Sequence, residues 1–231
     1  MNLDMFEELA LRRSAVRTYR PDPVSIDLLE RLLRITQRSP SSYNLQPIHY
    51  YIVRQQQTKE ALLKACIGQR QVLTAPAIVA FAGDRNAAQN NIDKVWEADL
   101  SSGAMPEEKR DIYRHLVDMH FSRKPCGFGY LTKLILAPIL RLFTPLPQLP
   151  VVQKRAWLER HVGLSAMSFM FAAESAGLAT CPMSGFDEGR VKKVLGIPHD
   201  FVVPMLVTVG YSAEHRPLRT RLPLEEVVHW I

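Results

Sequence analysis

Apolar residues fall at helical spacing over the first forty or so positions and then condense into short unbroken runs, so amphipathic helices give way to buried strands. Phe6, Leu9 and Ala10 share a face and predict a helix over 5–13. Leu28, Leu29, Leu32 and Leu33 form the stripe of a second helix, beginning after Val24 with Ser25 as its N-cap. The aromatic run 49–53 predicts a strand, and Thr58 is placed to cap a helix that ends near Cys66. After Pro76, residues 77–82 are apolar at every position, the pattern of a strand covered on both faces.

Residues 86–121 are polar and helical in character. The region 124–150 combines Gly127, Gly129 and five prolines with an oily stretch at 131–143. That stretch is far shorter than the ~20 apolar residues of a spanning helix, and Lys133, Pro138 and Arg141 interrupt it. It reads as a buried or lid helix, with an interfacial membrane contact as the other use. The whole chain, 1–231, reads as a single unit with an excursion at about 101–150. Residues 155–176 leave so little polar face that they belong in the middle of the protein, and Gly177 is a natural stop. Asp187 caps a short helix ending at Gly196, and 201–209 is a third strand whose Pro204 marks an edge or a bulge. Strands separated by helices predict an α+β or α/β layered fold with helices on both sheet faces.

Composition narrows the partners. The 231 residues are 47% hydrophobic and 23% charged, with a formal net charge of +6. The basic residues are scattered and not interleaved with aromatics, which favours a phosphate-bearing small molecule over nucleic acid. Cys66, Cys126 and Cys181 are odd in number and far apart, an arrangement suited to a reducing, cytoplasmic setting. The acidic N-terminus carries no export signal. Motifs for Rossmann and P-loop nucleotide sites, zincins and the hydrolase elbow are absent from the sequence. His115 and His120 lie five apart, not the four of a helical ligand pair, so no metal is expected. Cys126 and Cys181 read as small core residues before nucleophiles.

Three groups carry possible chemistry. Residues 39–47, Ser-Pro-Ser-Ser-Tyr-Asn-Leu-Gln-Pro, are hydroxyls and amides held between two prolines, a stiff polar ledge suited to a planar ligand rich in heteroatoms. An ordinary polar turn is the other reading. Arg12, Arg13 and Arg17 lie where the first helix ends, and Arg216, Arg219 and Arg221 lie in the tail; they can converge on one phosphate only if the tail returns to that helix. The segment 177–187, with its Pro-x-x-Gly turn at Pro182–Gly185, offers free N–H groups, or is a plain connection between helices.

Read in order, Arg-Arg-Ser-Ala-Val-Arg-Thr-Tyr at 12–19, the ledge at 39–47, Ala-Glu-Ser-Ala-Gly-Leu-Ala-Thr-Cys-Pro-Met-Ser-Gly-Phe-Asp at 173–187 and Arg-x-Arg at 219–221 resemble the FMN-dependent nitroreductase family. The resemblance implies an α+β fold, a three-layer α/β/α sandwich with a central, mainly antiparallel sheet, forming an intertwined homodimer with FMN at the subunit interface. It implies that Arg13, Ser14, Ala15, Arg219 and Arg221 hold the phosphate and ribityl end, and that Arg17 reaches the pyrimidine side. Pro40, Ser41, Ser42 and Asn44 would come from the other subunit, supported by Gln46. Pro182, Met183, Ser184 and Gly185 would lie against the ring. The sequence departs from the family pattern at Gln71, Ser184 and Ile48, positions where Lys or Arg, Glu and Trp are usual.

The implied activity is hydride transfer from NAD(P)H through FMN to an electron-poor small-molecule acceptor (nitroaromatic, quinone or activated alkene) by a ping-pong mechanism, with no catalytic side chain of the protein's own. Reductive dehalogenation or flavin fragmentation on the same fold, and a low-turnover FMN-binding sensor or storage protein, are the alternatives. No nucleic-acid partner and no transmembrane segment are expected.

Overall fold

The computed structural model describes residues 2–121, 128–145, 150, 152–216 and 218–231. Its centre is a four-stranded antiparallel sheet of β1 (Ile48–Val53), β2 (Ala77–Asp84), β3 (Ala179–Met183) and β4 (Phe201–Gly210), in the spatial order β1-β2-β4-β3. Every residue of β2 is buried. Its alternating side chains therefore serve two cores. Ala77, Val79 and Phe81 meet Leu29 and Leu32 of α2 (Ile26–Thr36) and Val162, Ala166 and Phe169 of α8 (Lys154–Ser175). Ile78, Ala80 and Ala82 meet Leu62 of α3 (Gln56–Ala65), Val72 of α4 (Gln71–Thr74) and Val191 of α9 (Glu188–Leu195). Helices thus cover both faces, the three-layer arrangement expected from the pattern.

Local signals operate as the sequence suggests at several termini. Asn2 caps α1 (Leu3–Arg12), Ser25 caps α2, and Asp187 caps α9, each side chain accepting a main-chain N–H. α9 ends on Gly196 at φ 64°, a left-handed position suited to glycine. Two readings need correction, and the structure decides a third between its alternatives. Thr58 does not cap α3: the helix starts at Gln56, and Thr58 lies inside it. The 177–187 segment is not a helix–helix connection, because its first part is the edge strand β3. Of the two readings of Pro204, an edge or a bulge, the bulge is found: β4 is internal, and Pro204 sits in a register shift where β4 advances from Val202 to Met205 while the paired β2 position moves from Gly83 to Phe81. The shift leaves proline's missing N–H without a ladder partner to disappoint.

Between β2 and α8 the chain forms α5 (Ala87–Ser101), α6 (Arg110–Phe121) and α7 (Phe128–Leu140). Val117 and Phe121 of α6 pack with Leu45, Trp157 and Leu158, beneath the ledge. A last turn of helix, α10 (Leu224–Val227), lies in the tail. Cys126 lies outside the described residues, as do 122–127 and 146–149 of the excursion.

Candidate functional site

The ledge is a 3-10 turn at Ser42–Asn44, and three of its non-glycine residues adopt left-handed backbone: Tyr43 (φ 55°), Asn44 (φ 51°) and Gln46 (φ 46°). Such conformations are sustained only where surroundings fix them. Here the supports are identifiable. The Ser42 N–H donates to His161 Nε2 at 2.9 Å, Trp157 Nε1 donates to Ser42 Oγ at 3.1 Å, and Gln46 N–H donates to Ser41 Oγ at 2.9 Å. Asn91 Nδ2 donates to the Leu45 carbonyl at 2.9 Å, and Asn44 Nδ2 to Asp99 at 3.2 Å. The Tyr113 hydroxyl donates to the Tyr43 carbonyl. His161 donates from Nδ1 to the Trp157 carbonyl, so Nε2 is its acceptor; burial holds its pKa below the ordinary imidazole value. Behind the ledge lies a cleft of ≈ 100 Å³ lined by Ser39, Pro40, Ser41, Gln46, Tyr50 and Ser165, among others.

The second group forms at the opposite edge of the sheet. Ala15 bridges Thr180 in parallel, with the Val16 N–H on the Thr180 carbonyl at 3.0 Å, so residues 13–16 run along the free side of β3. Strand alternation turns Pro182 to the same side as Thr180, where proline brings no N–H. Just beyond, Ser184 and Gly185 are exposed, and no main-chain acceptor takes their N–H groups among the described residues. Gln69 Nε2 donates to the Gly185 carbonyl at 2.7 Å, and Gln71 Nε2 donates to Gln69 Oε1 at 2.9 Å. Gln71 is therefore part of an amide relay onto the Gly185 turn. Gln69 escaped the sequence reading, which had only the neighbouring turn residues Ile67 and Gly68, both left-handed, to betray a local bend.

The tail does return to the first helix. Glu174, 1% exposed near the end of α8, receives Arg12 Nε on one carboxylate oxygen and Arg216 Nη1 on the other, each at 2.7 Å. One arginine from each cluster is consumed there, and neither belongs to the predicted ligand set. The remaining members differ. Arg13, Arg17 and Arg219 make no ion pair among the described residues, and Arg221 bonds only the neighbouring Thr220 carbonyl. Ser14 is buried, Ala15 partly so, and the Arg17 N–H is fixed by Glu214 at 2.9 Å. Met183 is buried as the last residue of β3. The geometry thus joins 13–17 with 182–185 at one edge and starts 219–221 from the same anchor.

It does not join Pro40, Ser41, Ser42, Asn44 and Gln46 to them. β1 and β3 are opposite edges, about three strand spacings or ~14 Å apart. Along α8 the ledge contact at His161 and the arginine anchor at Glu174 are separated by about 20 Å. Within one chain these are two half-sites. Unpaired guanidinium groups beside free main-chain N–H groups suit a planar ligand with an anionic tail. Among the described residues, no group of three or more His, Cys, Asp or Glu is placed to hold a metal ion.

The sequence profile of the nitroreductase family matches residues 10–211, nearly all of this frame. The chain belongs to the nitroreductase family. A relative from Thermus thermophilus named NADH dehydrogenase is 32% identical over 221 residues, covering 96% of this chain and 93% of its own. Among solved structures, YdfN of Bacillus subtilis, assigned as a nitroreductase, superposes with a TM-score of 0.78 at 28% identity, over 100% of both chains. A protein from Exiguobacterium sibiricum assigned as a nitroreductase, solved in complex with FMN, shares the fold at TM-score 0.75 and 23% identity, over 98% of this chain and 97% of its own.

Proposed function

We propose that this nitroreductase-family chain is an FMN-dependent oxidoreductase that takes hydride from NAD(P)H and passes it to a nitroaromatic, quinone or activated alkene in ping-pong order. FMN, when bound, supplies the redox chemistry; the protein binds it, orients it and sets its electrostatic surroundings. In this reading Arg13, Ser14 and Ala15, with Arg219 and Arg221, hold the phosphate and ribityl end. Arg17, whose main chain is held by Glu214, would bring a permanent positive charge to the pyrimidine edge and favour negative charge there. Pro182 and Met183 support the ring, while the unpartnered N–H groups of Ser184 and Gly185 are the available donors. Pro40, Ser41, Ser42, Asn44 and Gln46 complete the site from a second copy of the chain.

One observation carries the proposal: unpaired Arg13 and Arg17 stand on the β3 edge next to free main-chain donors, while the ledge that should face the same ligand lies at the far edge. A homodimer resolves that separation. The exposed apolar side chains Leu218, Leu222, Leu224, Val227 and Trp230 of the tail give a second chain surface to cover. The FMN complex of the Exiguobacterium protein and the name of the Thermus relative support the cofactor and the reductant. We read 1–231 as one such unit, with 101–150 as its excursion.

The test is the visible spectrum of the purified protein. It should show bound flavin at one per chain, and Arg17→Ala should weaken FMN binding. Steady-state rates at varied NADH and acceptor should give parallel reciprocal plots. A colourless protein that takes up no added FMN would refute the reading, and intersecting plots would refute the ping-pong order.

A further inference from the structure

Beyond β3 the chain turns at Ser184 and Gly185, and hydrogen bonds rather than packing hold that turn. The Phe186 N–H donates to the Ser184 carbonyl at 3.2 Å, and the Asp187 N–H to the Ala65 carbonyl at 2.8 Å. Gln69 Nε2 donates to the Gly185 carbonyl at 2.7 Å. A Cβ on Gly185 would meet, within 4 Å and outside its chain neighbours, only that same Gln69 Nε2, at 3.8 Å. Both carbonyls of the turn are thus engaged, and its two groups without an acceptor among the described residues are the Ser184 and Gly185 N–H donors. Glycine lets the flanking peptides rotate at low cost. The Gln69 bond is therefore what keeps the Gly185 oxygen turned inward.

The route by which Gln69 reaches the turn is itself constrained. Ile67 (φ 55°) and Gly68 (φ 72°) are consecutive left-handed residues that reverse the chain after α3. The Gly68 N–H donates to the Leu63 carbonyl at 2.9 Å and the Gln69 N–H to the Cys66 carbonyl at 3.1 Å. A left-handed isoleucine persists only where its surroundings over-determine it, and here the reversal delivers an amide to Gly185. A carbonyl only accepts, so the end of Gln69 that faces Gly185 is its N–H₂. Gln69 Oε1 then faces Gln71, whose Nε2 donates to it at 2.9 Å. Gln71 is 5% exposed in the first turn of α4, so this second amide is fixed by burial.

Resting on the FMN reading above, we propose that Gln69 is a positioning residue of the flavin site, with Gln71 acting through it. Gln69 holds the Gly185 turn so that its outward groups are N–H donors. Its effect passes through the main chain and needs no contact with the ring. Without that donor the Gly185 carbonyl is released, and an oxygen can turn to where donors stood. The nitrogens and oxygens of an oxidised flavin ring accept hydrogen bonds, so an outward oxygen opposes them. Reduction adds negative charge to the ring, so the reduced form suffers more.

Titration of the apoprotein with FMN decides the matter, using Gln69→Met, Gln71→Met and the double variant. Methionine keeps the reach of glutamine and removes its donor. Gln69→Met should raise the dissociation constant about tenfold, the equivalent of one net hydrogen bond. Reduced FMN should lose about a further tenfold, which appears as a midpoint potential about 30 mV more negative for the bound flavin. The apoprotein should melt within about 2 °C of wild type, because Gln69 lies at the surface; a merely structural residue would move the melt and leave the potential alone. Gln71→Met should shift affinity and potential the same way but less, and the double variant should be no worse than Gln69→Met. The Gln71→Met shift is read by itself, so the test stands even if Gln69→Met unfolds. A wild type that binds FMN, beside variants with its affinity and potential, overturns this inference alone. A double variant with the product of the two single losses overturns the relay. A wild type that takes up no FMN overturns both the inference and the function beneath it.

Discussion

Glu174→Gln is the most revealing single change, because one buried carboxylate ties both arginine segments to the core helix. The wild-type group accepts from Arg12 Nε and Arg216 Nη1 at 2.7 Å, and the Glu174 carbonyl is 3.4 Å from Arg12 Nη2. Glutamine keeps the shape but offers one oxygen, and its amide N–H₂ faces the other guanidinium, donor against donor. Hydrogen bonds to charged groups are worth about 1.5–3 kcal/mol each. The Arg12 side chain is 48% exposed and can return to water, so its bond is discounted, whereas Arg216 is 21% exposed. The net loss is then about 2–4 kcal/mol, or about 5–15 °C in Tm for a chain of this size. Thermal and guanidinium melts of the apoprotein measure it. Titration with FMN provides the second readout: Glu174 ties down Arg12 and Arg216, which immediately precede 13–17 and shortly precede 219–221, so the dissociation constant should rise about tenfold. A glutamine variant melting within about a degree of wild type, with unchanged FMN affinity, would refute the idea that this carboxylate organises the half-site.

Other expectations test particular contacts. His161 has a depressed folded pKa, so the folded state binds fewer protons than the unfolded one; its stabilising contribution should be complete above the unfolded value of about 6.5 and decline as pH falls below it. His161→Asn should flatten that slope in urea melts taken across the window, and an unchanged slope would exclude His161 as its source. Ile67 is left-handed at φ 55° and 78% exposed, so Ile67→Gly should raise stability by about 0.5–1 kcal/mol, and a lowered melting temperature would count against it. A Cβ on Gly210 would lie 2.4 Å from Pro76 Cδ and 3.1 Å from the Tyr19 ring; Gly210→Ala should cost about 2–3 kcal/mol, and a wild-type denaturation midpoint would show that the contact relaxes freely.

The sequence alone determined the elements whose causes are local. The apolar run after Pro76 had to be covered on both sides, and β2 is; Ser25 and Asp187 start helices and Gly196 ends one through contacts within a few residues. It also marked the ledge, both arginine clusters and the 182–185 turn, since prolines, small hydroxyls and guanidinium groups carry their chemistry in residue type. Tertiary structure decided which of these meet. β3 is short, contains a proline and borders a buried helix, so only its pairing with β4 and the Ala15 bridge reveal a strand. Pro204 left an edge and a bulge equally open because a missing N–H is a local fact, whereas the bulge that accommodates it is a relation between two strands. Likewise, no spacing in the sequence distinguishes Arg12 from Arg13 or Arg216 from Arg219. The choice depends on which guanidinium group reaches a carboxylate buried 162 and 42 residues away, and that is fixed by packing alone.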